Sequence, residues 1–558
     1  MPLHQKVLTA TFSYQNTGFQ SEKIDYKPAY RRAISSNDHY TIPEEVLPIS
    51  TPKISDNNIS ISIPESTIPI NHHDIKSGQQ RFRWNLLFNL LVWIICPLPL
   101  WLPFVSNELA IYILPSIQCI FVIIWLIISL LAGRNAFILY RHRYDDYSAL
   151  LTTEESNKIQ HLVVISCYKE PLELIKRSVD TLAAQTEVNR ITMVISFEER
   201  TPDVHLKCQT LETYYAQAGF QKLIFTIHPY GLVNEIPGKC SNANYALRTA
   251  VEQLKLNETN GDHILITTCD ADSQFHRQYI AALTYQYIKA NFPALTTIYQ
   301  PPLFYNWNLD GLSFFTRITG ILRSTLMLGA LIPFSINTMS IFSFSLSLAK
   351  AGNFVHPAYQ MDDIICLIRW MGVTGHRLSI QMVLTPVLSG PTCGRTIEYE
   401  FMEWARQARR WTIGAAEVFH YFMVKSRRIP LLTSVSWSIT FLIYYGILLC
   451  SSGLYSLTSF ISTLFLLEEI PSSIIYLMYI FFTIQMFAFL IAFIIDVFIP
   501  RLLNVDECIF FLRNLFHFLL TPFVLIIYSL VEFYALHEVM IRGKKVCKHG
   551  ASNKNTLN

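Results

Sequence analysis

Long apolar stretches on both sides of a polar middle region constrain this chain more than any other feature. Two of them precede the middle region and three follow it: Trp84–Val105, Leu109–Ala132, Leu431–Phe460, Ser473–Ile499 and Leu515–Leu536. Each has about the 20 residues that a helix needs to cross the hydrocarbon core of a bilayer. Hydrophobic residues make up 51% of the 558 residues, and charged residues only 15%. The pattern predicts an integral, multi-pass membrane protein with one large polar insertion.

Basic residues flank the first two predicted transmembrane helices (84–132) on their outer ends. Arg83 precedes the pair and Arg134 follows it. Because Lys and Arg concentrate on the cytosolic side of membrane proteins, we expect both the N-terminal tail and the polar insertion in the cytosol. Residues 1–80 are rich in Ser, Asn and Pro without a sustained period, which indicates a disordered cytosolic tail.

The number of C-terminal transmembrane helices in 431–540 is open between three and four. Leu431–Phe460 is either one helix or two helices separated at Ser451–Gly453. Four helices would place the basic tail, 541–558, in the cytosol, so we favour four. The segment Ser324–Leu348 is also apolar, but its many Ser, Thr and Asn residues predict a core helix or an interfacial segment instead of a span.

Short apolar runs alternate with helical patterns throughout the polar insertion, which spans residues 145–428. The runs that have strand character are Leu162–Ser166, Ile191–Phe197, Lys222–His228, Ile264–Thr268 and Thr296–Gln300. Short apolar strands separated by helices are typical of a parallel sheet covered by helices. The sequence therefore predicts a cytosolic, Rossmann-like α/β domain inserted between α-helical transmembrane segments.

Net charge and cysteine usage argue against two classes of protein. The formal net charge is only +3, so we expect no nucleic-acid partner. The 11 cysteines are scattered and form no Cys-x-x-Cys pair. This distribution favours reduced thiols in a cytosol-facing protein over a disulfide framework or a zinc site.

Polar residues follow several of the predicted strands, at the edge where open α/β sheets bind ligands. Tyr168 and Glu170 come after the first strand, and Glu198 follows the second. Gly238–Asn244 combines a flexible glycine, Lys239 and two asparagines at a helix start, which makes a cradle for an anion. Each segment taken alone is equally consistent with turn chemistry or with an N-capped helix.

An Asp-Ala-Asp sequence follows the predicted strand Ile264–Thr268. Asp270 and Asp272 supply the hard oxygen ligands that Mg²⁺ and Mn²⁺ prefer. A metal ion held there would offset the charge of a departing diphosphate, and His276 is a candidate further ligand. A single Asp-x-Asp sequence is common by chance, however, and is more often a solvated turn.

Two further clusters lie toward the end of the insertion. Asp362 and Asp363 begin a helical run, where a carboxylate can act as a general base, although adjacent aspartates also cap ordinary helices. Gln407, Arg410 and Trp411 share one face of a helix because they are three and four residues apart. Arginine can bind phosphate oxygens and tryptophan can stack on a sugar ring, whereas the alternative is a basic helix beside the membrane.

Taken in order, these elements resemble the membrane-embedded branch of the family 2 glycosyltransferases, which includes cellulose, chitin and hyaluronan synthases. The matching elements are Cys-Tyr-Lys-Glu (167–170), Gly-Lys-x-x-Asn-x-Asn (238–244), Asp-Ala-Asp (270–272), the aspartate pair (362–363) and Gln-x-x-Arg-Trp (407–411). The resemblance extends from the first predicted span to the last. It implies a cytosolic GT-A domain that takes a sugar from a nucleotide sugar, usually a UDP-sugar, with inversion at the anomeric carbon.

The resemblance also implies roles for individual residues. The residues that would hold the nucleotide are Tyr168, Glu170, Glu198 or Glu199, Lys239, Asn244 and Asp270. Asp272 would bind the Mg²⁺ or Mn²⁺ ion. Asp363 would be the general base beside Asp362, and the Gln407, Arg410 and Trp411 cluster would bind the diphosphate and the end of the acceptor.

Two functions of the same chemistry remain open. The first is processive extension of a polysaccharide at the cytosolic face of a plasma or Golgi-type membrane, with export of the polymer as an added expectation. The alternative is transfer of a single sugar to a membrane lipid, because some lipid glycosyltransferases carry a similar Gln/His-x-x-Arg-Trp element. Met361-Asp362 stands where the family more often has Thr-Glu, which leaves the acceptor subsite open. Pro333–Asn353 resembles a serine-rich segment rather than the acceptor motif of the named synthases, so the resemblance does not specify the sugar. A membrane scaffold or transporter without turnover is disfavoured because the acidic and basic elements are all present.

Overall fold

The structure, a computed structural model, describes most of the chain outside its two ends. The described residues are 86–151, 154–233, 235–305, 312–390, 396–426, 429–502 and 511–542. They belong to one compact unit with a continuous buried apolar core. The predicted N-terminal tail (1–80) and the basic tail from residue 543 onward lie outside the described residues.

Three helices precede the sheet domain. They are α1 (Leu86–Ile95), α2 (Leu98–Val105) and α3 (Asn107–His142). The first predicted span is therefore two short helices, because Pro97 between them lacks a backbone N–H and restricts the residue before it. The Ser106 side chain accepts a hydrogen bond from the Leu109 amide at 3.2 Å and caps α3. The chain thus reverses tightly between α2 and α3.

The sheet domain contains ten strands within the described residues. They are β1 (Gln160–Cys167), β2 (Ile191–Glu198), β3 (Lys222–His228), β4 (Ile264–Asp270), β5 (Gln274–Phe275), β6 (Thr297–Gln300), β7 (Leu303–Phe304), β8 (Phe342–Ser345), β9 (Ser379–Met382) and β10 (Val387–Leu388). The five strands predicted from the sequence coincide with β1, β2, β3, β4 and β6 to within two residues at each end.

Helices connect these strands and cover the sheet. They are α4 (Tyr147–Leu150), α5 (Glu154–Lys158), α6 (Leu172–Ala183), α7 (Val204–Tyr215), α8 (Lys239–Gln253), α9 (Tyr279–Lys289), α10 (Phe314–Leu326), α11 (Leu346–Ala351) and α12 (Asp362–Thr374). Helix α8 has Gly238 directly before it at φ 155, a backbone conformation that side chains disfavour. Its first turn lies under the carboxyl ends of β1 and β2.

The strand order creates a topological switch point. Seven strands form the main sheet in the order β3-β2-β1-β4-β8-β6-β9, and β5, β10 and β7 form a second, small sheet. Strand β1 pairs in parallel with both β2 and β4, so Val164 lies between Val194 and Thr268. The chain moves outward from β1 to β3 and then returns to the other side of β1 with β4. Ligands of open α/β sheets bind outside the carboxyl ends of the strands at such a point.

Strand β8 makes the sheet mixed, which corrects the prediction of a purely parallel sheet. It pairs antiparallel with β4 and with β6. It also lies in Ser324–Leu348, where we expected a core helix or an interfacial segment. The helix α10 ends at Leu326, a π-helical turn follows at Met327–Leu331, and the chain then enters the sheet. Phe344 packs its ring against Trp370 at 4.6 Å, so tertiary burial decides the strand.

Helices again dominate after the sheet domain. They are α13 (Ile397–Lys425), α14 (Leu431–Phe441), α15 (Cys450–Phe465), α16 (Ser472–Leu502) and α17 (Phe511–Arg542), with a π-helical segment at Leu442–Leu449 between α14 and α15. Within the described part of the chain, four helical segments are long and apolar enough to cross a membrane: Asn107–His142, Leu431–Phe465, Ser472–Phe498 and Phe511–Arg542.

The helical segment Leu431–Phe465 is continuous, against our preference for two helices. The Ser452 hydroxyl donates to the Leu448 carbonyl, and the Ser451 hydroxyl donates to the Gly446 carbonyl. These bonds satisfy both serines inside the helix, so the Ser-Ser-Gly sequence does not end it. Gly453 instead permits close packing, since an added Cβ would lie 2.6 Å from the Leu525 carbonyl oxygen of α17. The described residues therefore contain three long apolar helical segments after the sheet domain.

Candidate functional site

A cavity of about 290 Å³ lies at the switch point of the sheet. Its floor is formed by the carboxyl ends of β1, β2 and β4 and by the first residue of α8. Its sides are the start of α12 and the middle of α13. The cavity continues between the π-helical segment Leu442–Leu449 and α17, so it joins the sheet domain to the apolar helices.

Most of the residues proposed from the sequence meet in this cavity. Those that line it are Tyr168, Glu170, Glu198, Lys239, Asp270, Asp362, Asp363, Gln407, Arg410 and Trp411. They come from separate segments that only the fold brings together. Asn244, Asp272 and His276 are not among the described residues that line it.

The β1 and β2 ends of the cavity are held by short polar contacts. The Glu170 carboxylate accepts a hydrogen bond from the Tyr168 amide at 2.6 Å, which fixes the turn after β1. Arg200 donates to Glu198 at 2.6 Å and lies 5.0 Å from the Tyr168 ring centroid. This end therefore presents an aromatic ring flanked by a guanidinium and two carboxylates, groups that suit a heterocyclic base and its hydroxyl-bearing sugar.

Asn242 lines the cavity, whereas we had assigned the nearby Asn244. The Asn242 amide donates to the carbonyls of Cys167 and Ser196, both at 3.2 Å, and so ties together the ends of β1 and β2. Asn244 accepts from Arg248 at 3.2 Å on another face of α8. Lys239 and Asn242 are three residues apart and therefore share a helix face, which is the signal that could have selected Asn242.

Lys239 is the ionic centre of the site. Its Nζ lies 3.1 Å from Asp270 at the end of β4 and 3.1 Å from Asp362 at the start of α12. It also donates to the Ser340 carbonyl at 2.7 Å. Burial alone would lower the pKa of Lys239, but the charges of Asp270 and Asp362 outweigh it, so the pKa is raised and the ammonium stays charged.

The aspartate pair occupies the first turn of α12 and is buried. Asp362 is 4% exposed and Asp363 is 9% exposed. Burial, together with the neighbouring Asp362 charge, raises the pKa of Asp363 to about 7, although Lys239 opposes the shift. Burial also raises the pKa of Asp362. A carboxylate with a pKa near neutrality is suited to accept a proton at physiological pH.

Helix α13 places Gln407, Arg410 and Trp411 in the cavity because it packs against the start of α12. A Cβ at Gly414 would lie 2.4 Å from the Met361 Sδ, so a larger residue there would displace the Met361 side chain. Trp411 is covered by Arg323 of α10, whose guanidinium carbon is 3.3 Å from the ring centroid. Arg409 points elsewhere and donates to Glu538 at 2.5 Å.

The proposed metal ligands are not assembled in one place. Asp270 lines the cavity, but Asp272 is 1% exposed and accepts from the Gly390 amide at 3.1 Å. His276 lies in a different, small pocket beside Tyr147, where burial lowers its pKa. The described residues contain no group of three His, Cys, Asp or Glu side chains with metal-ligand geometry. Of these three residues, Asp270 alone is among the described residues that line the cavity.

Several lining residues had no signal in the sequence. They are Tyr305, Arg323, Tyr444, Tyr445, Tyr528 and Glu532. Tyr444 and Tyr445 lie on the π-helical segment, where an extra residue per turn changes which side chains face the cavity. Their positions depend on helix packing rather than on a local motif.

We predict that Lys239→Met destabilises the folded protein, because it leaves Asp270 and Asp362 close together without their shared cation. The free energy of unfolding should fall by about 1–3 kcal/mol. This is less than for a fully enclosed ion pair, because the Asp270 side chain is 29% exposed. Thermal unfolding of the full chain in detergent measures it. Lys176→Met, which breaks a pair with the 73% exposed carboxylate of Glu173, is the control and should change little. Equal midpoints for both variants would contradict this account.

Comparisons with known proteins add little to this picture. No family model matches the chain, and no curated protein matches it. Among solved structures, the chain is similar to the mannosyltransferase PcManGT from Pyrobaculum calidifontis, which was solved in complex with GDP-Man and Mn²⁺. The two share 11% sequence identity with a TM-score of 0.39, and the match covers 75% of this chain and 99% of that chain. It is also similar to S. aureus TarS, with 11% identity and a TM-score of 0.28 over 48% of this chain and 42% of that chain. Both TM-scores are too low for a conclusion about this chain.

Proposed function

We propose that this protein transfers a sugar from a nucleotide sugar to an acceptor hydroxyl at a membrane surface. The observation that carries the proposal is the convergence of a strand-end aspartate, a buried aspartate pair and the Gln-x-x-Arg-Trp cluster around one cavity. These elements lie at residues 270, 362–363 and 407–411 of the sequence, yet all line the same space at the switch point.

The donor would lie along the sheet edge. In this arrangement the nucleoside occupies the end near Tyr168 and Glu198, and the diphosphate lies near Lys239 and Arg410. Arginine offers several donors to phosphate oxygens, and lysine a compact positive charge. Burial lowers the pKa of Arg410, but an arginine remains protonated in proteins, so its charge is available to the leaving group.

The chemical step would be a single displacement. The Asp363 carboxylate accepts the proton of the acceptor hydroxyl while that oxygen forms a bond to the anomeric carbon of the donor sugar. The bond from this carbon to the phosphate oxygen breaks, and the nucleoside diphosphate leaves with the electron pair. A single displacement from the opposite face inverts the anomeric centre, as the resemblance to family 2 glycosyltransferases implies.

A divalent ion would enter with the donor. Mg²⁺ is commonly held by one or two carboxylates together with substrate phosphates, and Asp270 supplies such a carboxylate. When bound, the ion would neutralise charge on the diphosphate. The resemblance implies that Asp272 binds the ion, but its carboxylate accepts a hydrogen bond from the Gly390 amide, so we propose Asp270 as the ligand.

The acceptor would approach from the side of the apolar helices. Tyr444, Tyr445 and Tyr528 line that half of the cavity, and aromatic rings stack well on the apolar faces of sugars. This aromatic surface favours a growing polysaccharide as the acceptor. We propose that the polymer is made at the cytosolic face of a plasma or Golgi-type membrane and is exported through the helices. A single sugar transferred to a lipid headgroup is the second candidate, because the cavity adjoins helices that are apolar enough to contact lipid.

We predict that membranes containing the full chain release UDP from one UDP-sugar and place the labelled sugar in a larger product. UDP-sugars and GDP-sugars with a radiolabelled sugar are tested in parallel, and the product is digested with linkage-specific glycosidases. A ladder or long polymer supports the polysaccharide candidate, and a single addition in the organic phase supports the lipid candidate. The absence of transfer from every donor would overturn the proposed function.

Asp363→Asn is expected to reduce transfer by about 10²-fold or more, because the amide cannot accept the proton. Binding of UDP should persist, since the substitution keeps the shape of the side chain. Asp203→Asn is the matched control: Asp203 has φ 52, which asparagine tolerates, and it does not line the cavity. Wild-type turnover by Asp363→Asn would refute its assignment as the base.

The pH dependence should reveal the raised pKa of Asp363. Because the ionised carboxylate is the reactive form, kcat/KM should fall as the pH drops through about 7, whereas an ordinary aspartate would fall only near 3.9. Asp362→Asn removes the neighbouring negative charge but keeps the positive charge of Lys239, so the pKa of Asp363 should fall. The acidic limb should therefore move to lower pH in this variant, and an unchanged limb would contradict the coupling.

Metal dependence should distinguish the two aspartates of the Asp-Ala-Asp sequence. The affinity for UDP is measured by calorimetric titration with and without Mn²⁺. We expect the Asp270→Asn variant to bind UDP equally well in both conditions. Asp272→Asn should retain the metal dependence, since the amide oxygen can still accept from Gly390. The reverse outcome would show that Asp272 turns toward the ion when the donor binds.

A further inference from the structure

The loop Ile336–Ser340 forms a wall of the cavity to which the proposed chemistry gives no role. It lies between the π-helical turn Met327–Leu331 and β8. Its last four residues, Asn337, Thr338, Met339 and Ser340, are among the described residues that line the cavity. Their polar groups therefore face whatever ligand the cavity holds.

Contacts from two other elements hold the backbone of this loop. The Trp437 indole of α14 donates to the Ile336 carbonyl at 2.8 Å, and the Met339 amide donates to the Gln300 side chain at 2.7 Å. Trp437 and Gln300 are both fully buried. A wall that is fixed in this way can read the shape and the hydroxyl groups of a ligand without first having to become ordered.

The loop lies between the two groups that the proposed transfer needs. The Ser340 carbonyl accepts a hydrogen bond from Lys239 at 2.7 Å, and Lys239 is assigned to the diphosphate. The Thr338 hydroxyl lies 3.4 Å from the carbonyl oxygen of Asp363, the assigned base. In a single displacement the donor sugar occupies the space between the departing diphosphate and the base. The loop therefore borders the donor sugar.

Asn337 carries a hydrogen-bond acceptor that no described residue uses. Its side chain is buried, with 3% of the residue exposed, and its Nδ2 donates to the Thr338 carbonyl at 2.6 Å. An amide oxygen in the place of Nδ2 would repel that carbonyl, so the orientation of the amide is fixed. The buried Oδ1 has no hydrogen-bond partner within the described part of the chain. Such an unpaired acceptor costs free energy, which a ligand hydroxyl would recover.

Gln360 offers the complementary group next to the aspartate pair. It lines the same cavity two residues before Asp362, and its buried Nε2 finds no acceptor among the residues that the structure describes. A hydroxyl group both donates and accepts hydrogen bonds. A sugar ring with several hydroxyl groups can therefore satisfy the Asn337 Oδ1 and the Gln360 Nε2 together.

The charge of the cavity restricts the kind of sugar. The described residues that line it include six carboxylates but only three basic side chains. The basic side chains and a divalent ion are needed for the diphosphate. A further negative charge on the sugar would lie near Asp362 and Asp363, and like charges at close range are strongly unfavourable.

We propose that Asn337 and Gln360 form the subsite that selects the donor sugar, and that this subsite takes an uncharged sugar with free ring hydroxyls. The inference rests on the proposed function, because the roles of Lys239 and Asp363 place the sugar beside the loop. The Asn337 Oδ1 accepts from one hydroxyl group, and the Gln360 Nε2 donates to a sugar oxygen. An analogue without that hydroxyl leaves the Oδ1 unpaired and binds more weakly.

The first test separates the affinity for the sugar from the affinity for the nucleotide. The full chain in detergent with Mn²⁺ is titrated calorimetrically with UDP-glucose, UDP-N-acetylglucosamine and GDP-mannose, each beside its own nucleoside diphosphate. For the best-bound nucleotide sugar, the ratio of its affinity to that of the nucleoside diphosphate should fall about tenfold in Asn337→Ala. Gln360→Met keeps the length of the side chain and should lower the ratio similarly. Unchanged ratios in both variants would overturn the inference.

A matched control is the buried Asn135 of α3. Its Nδ2 donates to the Leu328 carbonyl at 2.8 Å, as that of Asn337 donates to Thr338, but Asn135 is not among the residues that line the cavity. Asn135→Ala should therefore leave the affinity ratio unchanged. A fall equal to that in Asn337→Ala would show a general effect of losing a buried amide and would overturn the assignment of the subsite.

The second test begins with the wild type, so it does not depend on the folding of a variant. Each ring hydroxyl of the best-bound sugar is replaced in turn by hydrogen. The wild type should bind one of these analogues about tenfold more weakly than the parent, whereas Asn337→Ala should bind the two alike. Equal binding of every analogue by the wild type, or a penalty that persists in Asn337→Ala, would overturn the inference.

The restriction to uncharged sugars has its own measurement. The counterpart of the best-bound sugar in which a carboxylate replaces the 6-hydroxymethyl group should bind at least about tenfold more weakly. Equal affinities would overturn the restriction.

The outcomes also distinguish this inference from the proposed function. Transfer by the wild type with unchanged ratios in both variants would overturn the subsite alone. Selective binding that depends on Asn337, without transfer to any product, would overturn the proposed transfer and retain the subsite. A wild type that binds no nucleotide sugar would overturn both.

Discussion

The site depends on the Lys239 ammonium, because it pairs with two carboxylates that would otherwise repel each other. Asp270 ends β4 and Asp362 begins α12, and both carboxylates lie 3.1 Å from its Nζ. With Asp363 next in sequence, three carboxylates meet one ammonium in a largely buried space. The excess of negative charge favours a ligand that brings its own cation, which is how a diphosphate with a divalent ion would enter. Burial, together with the charge of Asp362, raises the pKa of Asp363 against the opposing charge of Lys239.

The residues at strand ends were predictable because their placement follows from strand order alone. Tyr168, Glu198 and Asp270 come after strands whose carboxyl ends must lie at one edge of a parallel sheet. Two of the expected side chains lie outside the cavity because a turn or a helix face decides their orientation. His276 follows the short strand β5, which carries it into a different pocket. Asn244 is two residues from Asn242, and such residues point to different faces of a helix.

Contacts between distant helices could not be read from the sequence. Arg317 of α10 donates to Asp496 of α16 at 2.6 Å although the two residues are 179 positions apart, and neither belongs to a periodic or motif pattern that would pair them. Likewise, the apolar run that contains β8 has the composition of a helix, yet its phenylalanines find partners only in the assembled sheet. Local propensity is a weak guide where burial against other elements supplies most of the free energy.

Helix α17 shows how the site and the membrane region depend on each other. It has 32 residues, enough to cross a bilayer, but both of its ends contact helices that pack on the sheet domain. Near its start, His517 accepts from Arg317 of α10 at 3.2 Å; near its end, Glu538 accepts from Arg409 of α13 and from Arg542. Between these two contacts α17 lies along α13. The same course brings Glu532 to the cavity, so one of the helices that are apolar enough to cross a membrane also lines the candidate site.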